Sequence, residues 1–265
     1  MSRSKPKIRL DVLLVERGLV ESRALAHRMI LAGQVQVDGS TALKPGTRVS
    51  PESQVSLEQG PRYVSRGGGK LEAALQTFNL DVTNKICADV GASTGGFTDC
   101  LLQHGAARVY AIDVGQGILA WKLRQNPQVV VMEATNARYV EKLPEQMDVV
   151  TIDASFISLR IIFPVVKHWF SPIEGNLLAL IKPQFEAGKG EADRTKGVIR
   201  DPEIHRRVLK EILTSAQEEG FHIRGLICSP ILGPKGNVEF LAWLSLHEGK
   251  TSRLDEIVNH ALEKS

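Results

Sequence analysis

The sequence predicts an α/β fold preceded by a smaller α+β domain, and two observations lead to this expectation. From Lys85 onward, apolar strand segments and amphipathic helix segments alternate along the chain. Such alternation is typical of a mostly parallel sheet with helices on both faces. The first 60 residues instead combine two short helices with short strands and turn residues. We therefore expect domains at residues 1–60 and 67–265, joined by a linker at 61–66.

The small domain is predicted to start with helices at residues 9–15 and 22–30, where apolar residues recur with helical spacing. Gly18 is placed to end the first helix, and Ser22 is placed to cap the second. Apolar residues then alternate between turn residues, as they do in short strands. These strands are expected at 35–39, 47–49 and 55–57.

The larger domain is predicted to contain seven strand segments. They are rich in apolar residues and lie at 86–90, 108–113, 129–132, 148–153, 176–182, 222–228 and 238–246. Helices are expected from residues 71, 97 and 158, and at 118–124 and 203–219. The last two strands can pair antiparallel at an edge of the sheet. The three glycines at 67–69 are expected to form a hinge or a loop of close approach.

The stretch at residues 88–98 runs from an apolar strand through a turn of small residues directly into a helix. Glycines let the backbone approach a bound molecule, and the start of a helix offers free N–H groups with a partial positive field. Asp113 ends the next strand, 24 residues after Asp89. In nucleotide-binding α/β folds, an acid at this place bonds to ribose hydroxyls.

The spacing of the glycines in this turn differs from that of turns that bind a pyrophosphate. It therefore favours an adenosyl cofactor without phosphates over a nicotinamide dinucleotide. A tight connection that binds no ligand is the alternative.

The ten residues Asp-Val-Gly-Ala-Ser-Thr-Gly-Gly-Phe-Thr at 89–98 resemble the first motif of S-adenosylmethionine-dependent methyltransferases, in detail that of the FtsJ-like branch. Four further segments resemble motifs of the TlyA family in the same order, so that the resemblance covers nearly the whole chain. They lie at residues 65–71, 152–159, 180–186 and 236–240. Other members carry a bulkier residue than Gly69 before the lysine.

The resemblance implies a Rossmann-like methyltransferase domain whose seven-stranded sheet has its last strand reversed. It also implies S-adenosylmethionine as the cofactor and an S4-like RNA-binding domain at residues 1–60. The implied activity is 2′-O-methylation of cytidine in ribosomal RNA, of the large subunit alone or of both subunits. Ribosomal RNA or a ribosomal subunit is accordingly the expected partner.

Two residues with chemistry suited to this reaction, Asp153 and Lys182, end successive strands that are predicted to be adjacent. The apolar run before Lys182 draws its ammonium toward a low-dielectric setting, where it needs a partner or a lowered pKa. Asp153 can be that partner, although a lysine that reaches out to solvent is the alternative. FtsJ-like enzymes are similar in having a Lys-Asp-Lys-Glu tetrad in this order, which adds Lys70 and Glu239.

The expected roles follow from the reaction, since a ribose hydroxyl is a poor nucleophile until its proton is removed or its oxygen is oriented. We expect Lys182 to activate the hydroxyl and Lys70 to orient it. Asp153 and Glu239 are expected to hold and tune the lysines. No covalent intermediate is needed, because methyl transfer is an in-line displacement.

The resemblance also assigns cofactor contacts. Asp89 is expected near the ammonium group of the cofactor, Asp113 at its ribose hydroxyls, and Glu133 and Asn136 at its adenine, although residues 133–136 also read as an ordinary turn. The methionine part is expected to lie against Gly91, Ala92, Ser93, Thr94, Gly95 and Gly96.

Charge is unevenly distributed along the chain. Residues 1–70 carry 12 Lys and Arg against 6 Asp and Glu, a net charge of +6, whereas residues 71–265 carry 21 against 24, a net charge of −3. A concentrated basic segment suits a polyanion such as RNA, with a solvated basic face as the alternative. The resemblance to S4 domains assigns RNA contacts to Arg23, His27, Arg28 and Lys44.

Two further features have open interpretations. Phe156 follows the predicted catalytic acid and either stacks on an RNA base or packs in the core. The segment 184–202 carries eight charged residues and is too long and polar for a plain connection. It is a candidate lid over the substrate, and disorder without function is the alternative.

The remaining composition excludes several classes of protein. The three cysteines and seven histidines show no metal-ligand spacing, so we expect no metal. No apolar run approaches the roughly 20 residues that span a bilayer, and we expect a cytoplasmic protein. Three alternatives to an RNA methyltransferase are an oxidoreductase, a non-catalytic ribosome-assembly protein and a membrane-lytic protein. The last is considered because the family has carried the name hemolysin. The sequence carries no signal for an oligomeric state.

Overall fold

The structure is a computed structural model that describes residues 6–57, 61–171, 175–247 and 253–264. The chain divides after Arg62 into two compact units. Residues 63–66 of the predicted linker lie within the second unit. Tyr63 is buried there, and the backbone N–H of Val64 donates to Asp99 Oδ2 at 2.8 Å.

Residues 6–57 of the first unit form two helices and five short strands. These are β1 (Ile8–Arg9), α1 (Leu10–Glu16), α2 (Arg23–Leu31), β2 (Val35–Val37), β3 (Ser40–Thr41), β4 (Arg48–Val49) and β5 (Val55–Leu57). β2 pairs antiparallel with β3 and β5, and β1 pairs antiparallel with β4. As predicted, Ser22 caps α2, because its Oγ accepts from the backbone N–H of Leu25. Leu10, Leu14 and Ile30 are fully buried in the core of this unit.

The second unit begins with a helix and then alternates strands and helices. Its first half contains α3 (Gly67–Phe78), β6 (Ile86–Val90), α4 (Gly96–Gln103), β7 (Arg108–Ile112), α5 (Trp121–Arg124), β8 (Val129–Met132) and β9 (Val149–Ile152). Its second half contains α6 (Leu159–Val166), β10 (Asn176–Ile181), α7 (Pro183–Glu186), α8 (Lys189–Arg194), α9 (Pro202–Glu218), β11 (His222–Cys228), β12 (Phe240–Ser245) and α10 (Leu254–Leu262).

The seven strands β6–β12 form one sheet in the order β11-β12-β10-β9-β6-β7-β8. The strands from β10 to β8 are parallel, and β12 is antiparallel to both of its neighbours. This arrangement confirms the predicted α/β fold with its last strand reversed. Chain order reverses between β6 and β9, so the carboxyl ends of these two strands flank the crevice where such folds bind ligands.

Helices cover both faces of the sheet. On one face, Phe163 of α6 and Ile212 of α9 are fully buried in a core with strand residues such as Ile152. On the other face, Leu71 of α3 and Leu101 of α4 are fully buried in a separate core. The sheet is thereby held between two apolar layers. The carboxyl ends of its parallel strands remain available for a ligand site.

The prediction of a hinge at the three glycines is wrong, because Gly67, Gly68 and Gly69 form the first turn of α3. They do permit a close approach. A Cβ on Gly68 would lie 2.3 Å from Cγ of Tyr63, and a Cβ on Gly96 would lie 2.2 Å from Ser65 Oγ. Small residues are therefore required for the packing of α3 against its surroundings, and not for bending.

The segment after β10 contains α7, α8 and a turn whose backbone is held by two side chains. Asn237 donates from Nδ2 to the carbonyl of Gly197 at 2.9 Å and accepts at Oδ1 from the N–H of Ile199 at 3.0 Å. The ring of buried His205 bonds to the carbonyl of Ile199 at 3.1 Å. The segment thus has defined structure, and its service as a lid stays a prediction.

The described part of the chain contains no helix with the length and apolar content of a membrane span. Cys87, Cys100 and Cys228 are free thiols, of which the first two are buried. Burial raises the pKa of the Cys87 thiol.

Candidate active site

The turn between β6 and α4 passes very close to the carboxyl end of β9. Gly91 has a left-handed backbone, with φ of +83°, and a Cβ on it would lie 2.7 Å from the carbonyl oxygen of Asp153. Ser93 also has a left-handed backbone, with φ of +51°. Only glycine allows this approach at position 91, which is why the glycine-rich turn and Asp153 meet in one site.

Asp89 lies beneath this turn and not in the wall of a cavity. It is fully buried, and its Oδ2 accepts from the N–H and the hydroxyl of Thr98 at 2.9 and 2.7 Å. Its Oδ1 accepts from the hydroxyl of Thr151 at 3.0 Å. These bonds join β6 to α4 and β9. They favour a supporting role for Asp89 over the predicted contact with an ammonium group.

Burial raises the pKa of Asp89 to about 7, although its hydrogen bonds oppose the shift. The folded protein therefore binds a proton that the unfolded chain releases near pH 4, and this group makes folding less favourable as the pH rises from about 4 to 7. We expect Asp89→Asn to lose less folding stability over this pH range than the wild type, because an amide carries no charge. The amide can also donate to Thr151 Oγ1. The Thr151 hydroxyl then donates to the carbonyl of Ala88, which is 3.4 Å away.

The measurement is the urea midpoint of the wild type and of Asp89→Asn at pH 5 and pH 8. The wild type should lose more stability than the variant between the two pH values. A variant that loses as much as the wild type would show that Asp89 ionises at its ordinary pKa.

Asp113 lies just beyond β7, on the other side of the same turn. Its Oδ2 accepts from the N–H of Ser93 at 2.8 Å, and its Oδ1 accepts from the N–H of Gly115 at 2.7 Å. It lines a cavity of about 260 Å³ together with Ile118 and Asn136. An acid, an apolar side chain and an amide in one cavity suit a nucleoside.

Of the two residues predicted at the adenine, only Asn136 lines this cavity. The carboxylate of Glu133 accepts from the backbone N–H groups of residues 117–119 and pairs with Arg124. These bonds hold the pKa of Glu133 at about 2. Glu133 therefore organises the segment 117–119, from which Ile118 enters the cavity.

The four predicted catalytic residues form two ion pairs. Lys182 Nζ lies 2.6 Å from Asp153 Oδ1, and Lys70 Nζ lies 2.5 Å from Glu239 Oε2. Lys70, Lys182 and Glu239 are buried, Glu239 completely. The ends of β9 and β10 and the start of β12 supply three of these residues, and the first turn of α3 supplies the fourth. The structure therefore brings together side chains that are up to 169 positions apart in the chain.

All four residues line a cavity of about 300 Å³. Most of the glycine-rich turn lines it as well, namely Gly91, Ala92, Ser93, Thr94 and Gly96. Gly95 does not line it. Gly95 has φ of +97°, and a Cβ on it would lie 2.2 Å from Leu123 Cδ1. Its role in the turn is therefore one of close packing against α5.

Burial raises the pKa of Asp153, and the neighbouring Lys182 opposes this shift. A carboxylate with a raised pKa is a stronger base than usual. Asp153 is therefore suited to hold a proton next to Lys182 Nζ.

Two polar residues at the site were missed by the sequence reasoning. Ser155 Oγ lies 3.0 Å from Lys182 Nζ and accepts from it, and Gln184 Nε2 donates to Glu239 Oε1 at 3.1 Å. Each lies two residues beyond a predicted catalytic residue, Asp153 or Lys182. The repeated spacing after two adjacent parallel strands was the signal that could have identified them.

Phe156 is 90% exposed, so the alternative of core packing is excluded. Its backbone is left-handed, with φ of +64°, and its ring contacts the ring of Phe185 with centroids 4.8 Å apart. A non-glycine residue in this conformation is strained. Phe156 thus presents an aromatic face to solvent beside the ion pairs.

The predicted RNA contacts of the first unit are exposed. Arg23, His27 and Arg28 lie on α2, and Lys44 lies in the loop between β3 and β4. Arg23 also donates to the buried carboxylate of Asp11 at 2.9 Å. With Arg9, it holds the pKa of Asp11 at about 2. The charge of Arg23 is therefore partly balanced, whereas none of the ion pairs of the described residues includes His27, Arg28 or Lys44.

Comparison with known proteins is consistent with this geometry. Residues 63–246 match the model of the FtsJ-like methyltransferase family, and residues 8–55 match that of the S4 domain. The chain is 50% identical to YqxC of Bacillus subtilis, over 91% of this chain and 86% of that protein. It is 42% identical to the 16S/23S rRNA (cytidine-2′-O)-methyltransferase TlyA of Mycobacterium tuberculosis, over 97% of this chain and 98% of that protein.

A solved structure from Streptococcus thermophilus, named as a hemolysin, has the same fold. It is 42% identical to this chain, and the TM-score is 0.71. The match covers 98% of this chain and 97% of the other. The similarity therefore extends over nearly the whole of both chains.

Proposed function

Because the chain belongs to the family of FtsJ-like methyltransferases, we propose that it transfers the methyl group of S-adenosylmethionine to the ribose 2′ oxygen of a cytidine in ribosomal RNA. The observation that supports this proposal is the presence of two ion pairs, Lys182 with Asp153 and Lys70 with Glu239, beside the glycine-rich turn. The similarity to TlyA, which spans both proteins almost completely, supports the choice of ribosomal RNA and of cytidine. The substrate is the RNA of the large subunit, alone or together with that of the small subunit.

The residues present fit S-adenosylmethionine. Two cavities lie on either side of the turn and share Gly91, Ser93 and Asp153 in their walls. One contains the ion pairs, and the other contains Asp113 and Asn136. The amino-acid part of the cofactor would lie in the first cavity and the nucleoside part in the second. When bound, this cofactor supplies an electrophilic methyl group on a sulfonium.

Lys182 activates the ribose hydroxyl. In its neutral form, its Nζ takes the proton of the hydroxyl as the oxygen bonds to the methyl carbon. The raised pKa of Asp153 lets this carboxylate hold the proton that Lys182 must lose beforehand. After transfer, Lys182 is again an ammonium, Asp153 releases its proton to solvent, and the ion pair at 2.6 Å is restored.

Lys70 orients the acceptor oxygen, and Glu239 holds Lys70. Glu239 is completely buried and also accepts from Gln184 Nε2, so its carboxylate is fixed between two donors. A fixed carboxylate restricts Lys70 Nζ to one position. Such positioning contributes to catalysis because methyl transfer requires the two reacting atoms to be in line.

RNA is held by both units. In the first unit, Arg23, His27, Arg28 and Lys44 contact the phosphate backbone, which positions the RNA without reading its sequence. In the second unit, exposed Phe156 stacks on a base that has left its helix. The partner of the enzyme is therefore ribosomal RNA, free or within a ribosomal subunit, and the reaction takes place in the cytoplasm.

The experiment that tests this proposal uses the whole protein with tritiated S-adenosylmethionine. Unmodified small and large ribosomal subunits are incubated separately, and label in the RNA is counted. We expect label in the large subunit. Protein that binds the cofactor but labels neither subunit would contradict the proposal and favour a non-catalytic role in ribosome assembly.

A further inference from the structure

A third cavity, of about 610 Å³, lies beside the ion pairs, and no ligand has been assigned to it above. We call it the lateral cavity. Its walls include Ser155, Phe156, Gln184, Phe185, Lys196 and Lys235. It adjoins the catalytic groups, because Ser155 contacts Lys182 Nζ and Gln184 contacts Glu239. A molecule in the lateral cavity therefore lies next to the atoms that activate the hydroxyl.

The backbone around the lateral cavity is strained. Phe156, Lys196 and Lys235 all have left-handed conformations, with φ of +64°, +52° and +58°. Such a conformation is uncommon for residues other than glycine, asparagine and aspartate, and it is energetically unfavourable. Three such residues from three separate segments line one cavity. Strain concentrated in this way is typical of a binding site.

Asn237 holds two of these segments in place. It is 2% exposed and donates from Nδ2 to the carbonyls of Gly197 and Pro234, at 2.9 and 3.0 Å. Gly197 follows Lys196 directly, and Pro234 precedes Lys235. One buried amide therefore sets the distance between the two lysine-bearing turns.

The described walls of the lateral cavity carry positive charge. Lys196 and Lys235 are exposed, and the residues described in these walls include no carboxylate. Within the described residues, neither lysine forms an ion pair with an acid. Two cations beside the Phe156–Phe185 ring pair match the chemistry of a nucleotide, which joins a flat base to phosphates.

Gln184 provides an independent indication of a ligand. Its side chain is buried, and its Oε1 has no hydrogen-bond partner among the described residues. The orientation of the amide is determined by Glu239, since a carboxylate must face the Nε2 donor and not Oε1. A buried acceptor without a donor costs free energy. A hydroxyl or amino group of a ligand in the lateral cavity can supply that donor.

We propose that the lateral cavity holds the nucleotide that presents its ribose to Lys182, with Lys196 and Lys235 binding the phosphates on its two sides. Gln184 Oε1 accepts a hydrogen bond from the same nucleotide. This inference rests on the proposed function for the identity of the reaction. It adds four residues to the substrate site that were not predicted individually as substrate contacts: Gln184, Phe185, Lys196 and Lys235.

The test measures the salt dependence of binding, because each phosphate contact contributes a fixed amount to it. Unmodified large subunits are titrated with the wild type and with Lys196→Gln, Lys235→Gln and the double variant, at several salt concentrations and without cofactor. The slope of the logarithm of the binding constant against the logarithm of salt should become less steep by about 0.7–0.9 for each lysine replaced. Affinity at moderate salt should fall about tenfold in the double variant, and the affinity for S-adenosylmethionine should stay unchanged.

The control variants are Lys142→Gln and Lys235→Arg. Lys142 is an exposed lysine of the same unit and does not line a cavity described here, so its replacement should leave the slope unchanged. Lys235→Arg keeps the charge and should keep the wild-type slope. Thermal unfolding shows whether each variant is folded, and the arginine variant identifies the effect of charge if a glutamine variant is unstable.

A double variant with the wild-type slope would overturn the inference, whatever its activity. The proposed function fails separately if the wild type binds large subunits but transfers no methyl group. In that case a reduced slope in the double variant would still show that the two lysines bind phosphates.

Discussion

Substituting Lys182 with alanine is expected to abolish methyl transfer while the affinity for S-adenosylmethionine changes by no more than a few-fold. Lys182 Nζ is the group that takes the hydroxyl proton, and a well-placed general base contributes about 10²–10⁴ in rate. The loss should therefore appear in kcat at saturating RNA. Single-turnover transfer to large subunits measures it, and equilibrium dialysis measures cofactor binding.

Lys142→Ala is the matched control for this experiment, because it removes an exposed lysine from the same unit. Since Lys182→Ala also leaves the Asp153 carboxylate without its partner, circular dichroism and thermal unfolding must show that the variant is folded. Turnover retained by folded Lys182→Ala would show that another group activates the hydroxyl.

Replacing Lys70 with methionine is expected to destabilise the fold by about 3–5 kcal/mol, the range for breaking a buried ion pair on one side. Glu239 is completely buried, and without Lys70 its carboxylate keeps Gln184 as its one donor among the described residues. Urea unfolding at pH 7 measures the change.

The double variant Lys70→Met with Glu239→Gln distinguishes the cost of an unpaired buried charge from the cost of altered packing. It removes the buried charge as well as its partner, so most of the lost stability should return while methyl transfer stays low. A double variant as unstable as Lys70→Met would mean that the cost comes from altered packing around α3 and not from an unpaired carboxylate.

Much of the second unit could be predicted from the sequence, because its signals are local. The alternation of apolar strands with helices identifies β6 to β10 to within one or two residues, and Asp153 and Lys182 follow from their positions after adjacent strands. These features depend on periodicity and on chain direction. The reversed last strand was implied by the resemblance to methyltransferases and not by these local signals, and the full strand order was not predicted.

Other features depend on contacts between distant segments. The glycines at 67–69 have the composition of a hinge but are helical, because Tyr63 and Ser65 pack against that surface. Glu133 has the position of a ligand contact but bonds to its own chain at residues 117–119. The sequence alone does not show whether a side chain binds a ligand or forms hydrogen bonds with the backbone.

The lateral cavity illustrates the same limit. Its walls come from the turn after β9, from the segment after β10 and from the turn before β12, and Asn237 joins the last two. None of these segments has a pattern that predicts the others. Lys235 has the sequence context of an ordinary surface lysine, and Lys196 is one of eight charged residues in the segment 184–202. The fold places both on one cavity.

The central claim is that the protein methylates a ribose oxygen of cytidine, and the most direct measurement locates the methyl group. Large subunits modified by the protein are analysed by primer extension at low deoxynucleotide concentration, and the modified nucleoside is identified after digestion. We predict a stop at a cytidine, with the methyl group on its 2′ oxygen, in RNA treated with the wild type and not in RNA treated with Lys182→Ala. A methyl group on a base, or transfer that survives in Lys182→Ala, would contradict the account.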